Sequence, residues 1–169
     1  MDIFDEVRFD YLSPENKSFL LHFDREMGRL GYGFGGEIGS GYCWGKHMLI
    51  YRRSGAKSPR VFARVYLRET GISLRYFLND IDRHRKYLES APGHIQAPFI
   101  GPYGDCRHCH NEKDGKCRFR KSYTLFNRFI EKCNGYTFEF PNSTVEKLPD
   151  YIALFLEFFP ARQAIGSRN

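Results

Sequence analysis

The chain has 169 residues, 41% apolar, 17% aromatic and 27% charged, with a formal net charge of +6. That size and balance predict one globular domain spanning 1–169, large enough to bury a core without covalent staples. No run approaches the roughly 18 consecutive apolar residues of a membrane span, and the acidic start Met1-Asp2-Ile3-Phe4-Asp5-Glu6 speaks against a signal peptide, so the expected setting is the cytoplasm, away from membranes.

In chain order, Ser13-Pro14 reads as a helix start, with Ser as N-cap and Pro at the first helical position. Phe19, Leu20, Phe23, Met27 and Leu30 recur at helical spacing, and Gly31 supplies the stop. Six glycines within 31–41 predict a flexible loop or weak edge strand; their spacing resembles a dinucleotide loop, but they follow a helix rather than a strand. Strands are expected over 42–53, 60–68 and 72–78. The last two form a hairpin around Thr70-Gly71 that pairs Leu67 with Leu74, Val65 with Tyr76 and Tyr66 with Arg75. Asn79 is expected to cap a helix to about residue 90, and Pro92-Gly93 restarts a short helical piece reaching Phe99. A second hairpin is predicted from 122–125 and 129–140, with Cys133 inside its return strand. Pro149 opens a final helix with the stripe Tyr151, Ile152, Phe155, Leu156 and Phe159; 161–169 are expected to fray. The fold class is therefore α+β, an antiparallel sheet packed with N-terminal, middle and C-terminal helices.

Four of the five cysteines form the pattern Cys106-x2-Cys109-x7-Cys117-x15-Cys133. A Cys-x2-Cys turn wraps two thiolates around one ion, and two more complete the tetrahedron that zinc accepts. A closed four-thiolate site keeps no open coordination position, so the expectation is a structural zinc in a knuckle-and-hairpin segment, 105–140. Such a centre carries a charge of about −2 and calls for nearby cations; Arg107, Lys116, Arg118 and Lys132 stand beside the cysteines in sequence. Other readings are His108 or His110 replacing one cysteine, most readily Cys133; an iron–sulfur cluster; or two disulfides with a spare thiol. A thiol–disulfide oxidoreductase fits poorly, because its Cys-x-x-Cys belongs at a helix N-terminus and this one lies in a charged loop. Cys43 reads as a small buried hydrophobe.

Residues 46–86 carry eleven Lys/Arg against three acids, which suggests an anionic partner. On the predicted hairpin Arg60, Phe62, Arg64, Tyr66, Arg68, Arg75 and Phe77 project to one side, the composition of a single-stranded nucleic-acid platform. The plainer alternative has the rings packed under helices while the arginines stack over them or reach to the rim. A second functional reading is a pocket for a small anionic or aromatic ligand, using Trp44, Tyr51, Arg64, Tyr66, Arg68, Arg75 and Tyr76. No Gly-x-Ser-x-Gly, P-loop or His-Glu-x-x-His motif occurs, and no nucleophile–base pair can be named, so catalytic residues are none and the sequence leans away from an enzyme. Asp80, Asp82 and His84 at one helix start read as cap and dipole partners.

The stretch from Cys106 to Pro160 contains Cys-x2-Cys, Cys-x-Phe-Arg-Lys-x-Tyr, Lys-Cys-x-Gly-x-x-Phe-x-Phe and Leu-Pro-Asp-Tyr-Ile-x-Leu-Phe. It resembles small uncharacterised bacterial proteins with a four-cysteine segment, and the portion before it is similar to the YdhG-like group of small α/β domains. The resemblance implies an antiparallel sheet flanked by helices and a metal site on Cys106, Cys109, Cys117 and Cys133; it implies no activity. Phe126-Asn127-Arg128 departs from the Asp-Gly turn expected there. The functional expectation is a zinc-containing binding module for a small anionic or aromatic ligand or a protein partner, with single-stranded nucleic acid as the alternative. Oligomeric state does not follow from the sequence.

Overall fold

A computed structural model describes residues 2–109, 117–133 and 137–161. The fold is α+β. Helix α1 (Pro14–Arg29) starts as the sequence dictates: Ser13 Oγ accepts the Asn16 amide at 3.2 Å and Pro14 sits at the first helical position. Gly31, at φ +85°, ends it in the left-handed conformation that a side chain would oppose. Phe19, Leu20, Phe23 and Met27 are buried along one face. The glycine-rich stretch then supplies two short edge pieces, β1 (Tyr32–Gly33) and β2 (Gly39–Ser40), both paired with β3 (His47–Arg53).

The strand expected over 42–53 is shorter than read. Tyr42–Trp44 form a 3-10 turn instead, and Cys43 within it is exposed rather than buried. Gly45 fixes that departure: a Cβ there would lie 2.8 Å from the Leu67 carbonyl oxygen, so only glycine lets the turn come down onto the next strand.

Strands β4 (Ala63–Arg68) and β5 (Gly71–Phe77) form the predicted hairpin, but Glu69-Thr70 is the turn, not Thr70-Gly71. Leu67 faces Ile72, Val65 faces Leu74, Tyr66 faces Ser73 and Arg64 faces Arg75. The pairing is displaced by two positions, an even number, so every side chain keeps its face. Tertiary contacts set the turn. The Ser143 amide donates to the Ile72 carbonyl at 2.9 Å, and a Cβ on Gly71 (φ +142°) would lie 3.3 Å from Asn142 Oδ1.

Beyond the sheet, Asp80 is left-handed at φ 55° and opens a 3-10 turn, Ile81–His84, before α2 (Arg85–Ser90). Asn79 therefore does not cap a helix. The Asp82 carboxylate reaches the segment of the second expected hairpin instead, accepting from the Thr124 amide at 2.9 Å and from Arg85 at 2.7 Å. Helix α3 (Gly93–Ile100) follows as expected.

The segment read as one long return strand is two. Strands β6 (Lys121–Leu125) and β7 (Arg128–Lys132) form a separate two-stranded sheet, and Cys133 lies one residue past its end. Strand β8 (Thr137–Phe140) leaves that hairpin to extend the main sheet beside β5. Its inward rings explain the exchange: Phe138 stacks on Phe99 at 4.2 Å and Phe140 packs 5.8 Å from Tyr76, burial that a two-stranded hairpin cannot offer. The main sheet runs β1-β3-β4-β5-β8, all antiparallel, with β2 also on β3.

Helix α4 (Leu148–Phe158) closes the core against α1. Phe155 lies 4.9 Å from Tyr32, Tyr151 lies 6.3 Å from Phe19, and the Tyr76 hydroxyl donates to the Tyr151 carbonyl at 3.1 Å. No helix among the described residues is long and apolar enough to cross a membrane.

The β6–β7 turn, Phe126-Asn127, holds both residues at positive φ (51° and 58°), the conformation of a type I′ turn. Phenylalanine tolerates it poorly. Replacing the pair by Asn-Gly is expected to stabilise the protein by about 1 kcal/mol. The urea midpoint checks it; no rise would mean that contacts of the Phe126 ring outweigh the backbone cost.

Candidate metal centre and the groove beside it

The loop after α3 runs antiparallel to β7. Asp105 bridges Lys132, the Cys106 amide donates to the Glu131 carbonyl at 2.9 Å, and the Cys133 amide donates to the Gly104 carbonyl at 2.8 Å. This pairing brings Cys106 and Cys133, distant in sequence, next to each other. The knuckle itself bends at His108 (φ 50°), whose amide donates to Cys106 Sγ at 3.4 Å; an amide aimed at sulfur is what favours a thiolate. Cys117 opens a turn closed by the Arg120 amide on its carbonyl at 3.1 Å.

Cys106, Cys109, Cys117 and Cys133 are all free thiols. Their mutual proximity is written into Cys133: partial burial first, then the charges of Cys106, Cys109 and Cys117 and a hydrogen bond with Cys106, push its thiol above the ordinary range. The sulfurs do not draw into a coordination shell, however; among the described residues no three His, Cys, Asp or Glu side chains are set to hold an ion. His108 Nε2 lies 3.0 Å from Glu131 Oε1, and its Nδ1 is buried without a hydrogen-bond partner among the described residues. His110, Lys116 and the Asp-Gly turn at 114–115 lie outside them.

Lys132, read as a cation facing the sulfurs, has a different task. Its side chain is buried, and Nζ donates to the Gly101 carbonyl, to the Tyr103 carbonyl at 2.9 Å and to Asp105 Oδ1 at 2.5 Å. One ammonium thus gathers the whole 101–105 loop onto β7, spending its three donors on three acceptors.

That loop is also one wall of a groove of about 770 Å³. The groove lies between α3 and the β8 end of the sheet, with Trp44 and Arg68 from the sheet side and Gly101, Pro102 and Tyr103 from the loop. His94 enters from α3, with Nε2 3.0 Å from Asp150 Oδ2, and Lys147 stands before α4. Trp44 and Tyr103 are exposed. The volume falls in the range of small-molecule sites.

Of the residues named from sequence as ligand-binding, Trp44 and Arg68 line this groove. Arg75 lies just behind, its guanidinium 5.3 Å from the Trp44 ring and 5.1 Å from Tyr66. Tyr66 is 0% exposed beneath them. Arg64 lies over Phe77 at 5.2 Å, further along the same face. Tyr51 does not join the site. It sits on the opposite, helix-covered face, edge-on to Phe23 at 5.1 Å, with its hydroxyl donating to Asp24 at 3.1 Å; burial, then the nearby Asp24 charge, push that phenol well above its usual range. Tyr76 is likewise a core residue, and so is Phe62, one of the seven side chains assigned to one side of the hairpin, so that set divides between two faces. The plainer expectation holds for Arg60, which stacks 4.7 Å over the buried Phe62.

Glu139 is the residue that sequence reasoning missed. It faces Arg75 across the β5–β8 pair and accepts from Ser73 at 2.6 Å, Arg75 at 2.8 Å and Arg68 at 3.0 Å. Burial raises its pKa, but the Ser73 and Arg75 hydrogen bonds and the two guanidinium charges outweigh it, so the carboxyl is held below the ordinary glutamate value. The available signal was a lone acid between Phe138 and Phe140, which could be placed only once the partner strand was known.

Comparison with protein-family models, with curated proteins and with solved structures finds no match to this chain.

Proposed function

We propose that this protein is a binding module in which a structural zinc on Cys106, Cys109, Cys117 and Cys133 braces one wall of a ligand groove. The observation that carries this reading is the position of Lys132. It adjoins Cys133, and its three hydrogen bonds hold the loop that leads into Cys106 and forms the groove wall at Gly101, Pro102 and Tyr103. Metal ligands, buried lysine and groove wall therefore form one mechanical unit.

Zinc suits the donor set. Four thiols drawn together around one ion would close a site with no open position, and the Cys106 sulfur already receives an amide hydrogen bond. The groove is the better-supported ligand site compared with an open nucleic-acid platform, because Tyr66 is covered and Arg75 is engaged by the Trp44 and Tyr66 rings, which pack on each other at 5.9 Å. Elemental analysis of protein purified under reducing conditions is expected to give about one zinc per chain. Less than about half a zinc, with all four thiols freely titratable, would remove the metal from this reading. Binding of a single-stranded oligonucleotide that weakens steeply with salt and on Arg64→Ala would move the function to the outer sheet face.

A further inference from the structure

The groups around Trp44 are out of balance. Donors crowd there: two guanidinium groups, the Tyr66 hydroxyl and the Ser73 hydroxyl. The acceptors that meet them are the Glu139 carboxylate and the Trp44 carbonyl, which takes Arg68 Nε. The Tyr66 hydroxyl and Arg75 Nε are buried with no hydrogen-bond partner among the described residues, a state that carries a desolvation cost. In charge, one carboxylate stands against two guanidinium groups, so the cluster keeps an excess positive charge at the groove edge. Lys147 adds another within the same lining, its Nζ 3.5 Å from the Asn142 carbonyl. Among the described residues Glu139 is the acid in the groove lining; Asp150, 3.0 Å from His94, is not part of it. The same lining carries two exposed aromatic side chains, Trp44 and Tyr103.

From this we infer that the groove takes a planar aromatic ligand bearing one acidic group, a carboxylate or a phosphate ester, with its ring against Trp44 and its charge between Arg68 and Lys147. The inference rests on the groove reading proposed above and narrows it from any small ligand to an aromatic anion. Arg68 is suited to the role. Its Nε and one Nη are committed to Trp44 and Glu139, which fixes the guanidinium plane, and among the described residues nothing takes the other Nη, which can meet an incoming oxygen.

Trp44 is the chain's single tryptophan, so emission excited selectively at tryptophan, beyond the absorption of the tyrosines, reports this groove. Purified protein is titrated with phenylacetate, benzoate and phenyl phosphate, and with phenylacetamide and benzamide as neutral counterparts. At least one acid is expected to change Trp44 emission saturably, with its amide bound about tenfold or more weakly, the weight of a charge-assisted hydrogen bond. The stronger of carboxylate and phosphate identifies the acidic group. Arg68→Met should abolish the preference for the acid; because it also unseats Glu139, Lys147→Gln serves as the second variant and should reduce the same preference. Amides binding as tightly as acids would overturn the anionic assignment while leaving the groove a ligand site. If none of the five compounds perturbs Trp44, the groove reading itself fails, and this inference with it.

Discussion

Chelation of the proposed zinc is expected to lower the melting temperature by roughly 6–16 °C while most of the helical signal survives. The magnitude follows from linkage: a metal present at a hundred to a thousand times its Kd contributes about 3–4 kcal/mol, and each kcal/mol is worth about 2–4 °C at this chain length. The selectivity follows from where the core lies. Phe19, Phe23, Tyr76 and Phe155 interlock α1, α4 and the main sheet without help from the cysteines. The β6–β7 hairpin has Tyr123, Leu125 and Ile130 as its buried apolar residues, and a two-stranded sheet is marginal alone. Hydrogen exchange should therefore show protection lost over 101–109 and 121–133 and kept in β3, β4 and β5. Acid should release the metal too, since protons compete for the thiolates. A melting temperature indifferent to chelator, in protein shown to have lost its metal, would rule out the bracing role.

Glu139→Ala is expected to destabilise the fold by about 3 kcal/mol. Removing one partner of a buried ion pair costs more than the pair contributes, because the other charge is left without compensation. Arg75 and Glu139 side chains are each 12% exposed; Arg68 is 32% exposed and can re-solvate, which keeps the figure at the low end of the usual range of about 3–5 kcal/mol. The pH dependence has a definite sign. The folded carboxyl titrates below its ordinary value of 4.5, so its contribution is complete above that pH and is lost as pH falls through the lower folded value. Glu139→Gln should flatten that acid-side loss in stability. Chemical denaturation of the two variants from pH 3 to 7 checks both statements, the lower limit set by the carboxylate range. A Glu139→Ala protein as stable as the parent would show that solvent, not Glu139, balances Arg75.

Local chemistry carried much of the architecture. The Ser13-Pro14 start and Gly31 stop of α1, the stripe of α4 and the face sorting of the β4–β5 hairpin rest on periodicity and capping, which act between near neighbours. The turn of that hairpin was misplaced by one residue because its position is set by Asn142 and Ser143, some seventy residues away. Tyr51 was assigned to the ligand face because alternation distinguishes two faces without saying which one the helices cover. For the same reason Glu139 passed unnoticed and Lys132 was taken for a counter-ion.

The amino-acid order by itself determined helices α1, α3 and α4, the two-faced strands and the clustering of four thiols in one stretch, since each depends on spacing along the backbone. The tertiary structure alone decided that β8 leaves the cysteine hairpin for the main sheet, that Trp44 folds over Tyr66, and that Lys132 joins the thiol segment to the groove wall. Those outcomes turn on which large rings find burial across the chain and which buried charges find partners, and neither is set by any short span of sequence.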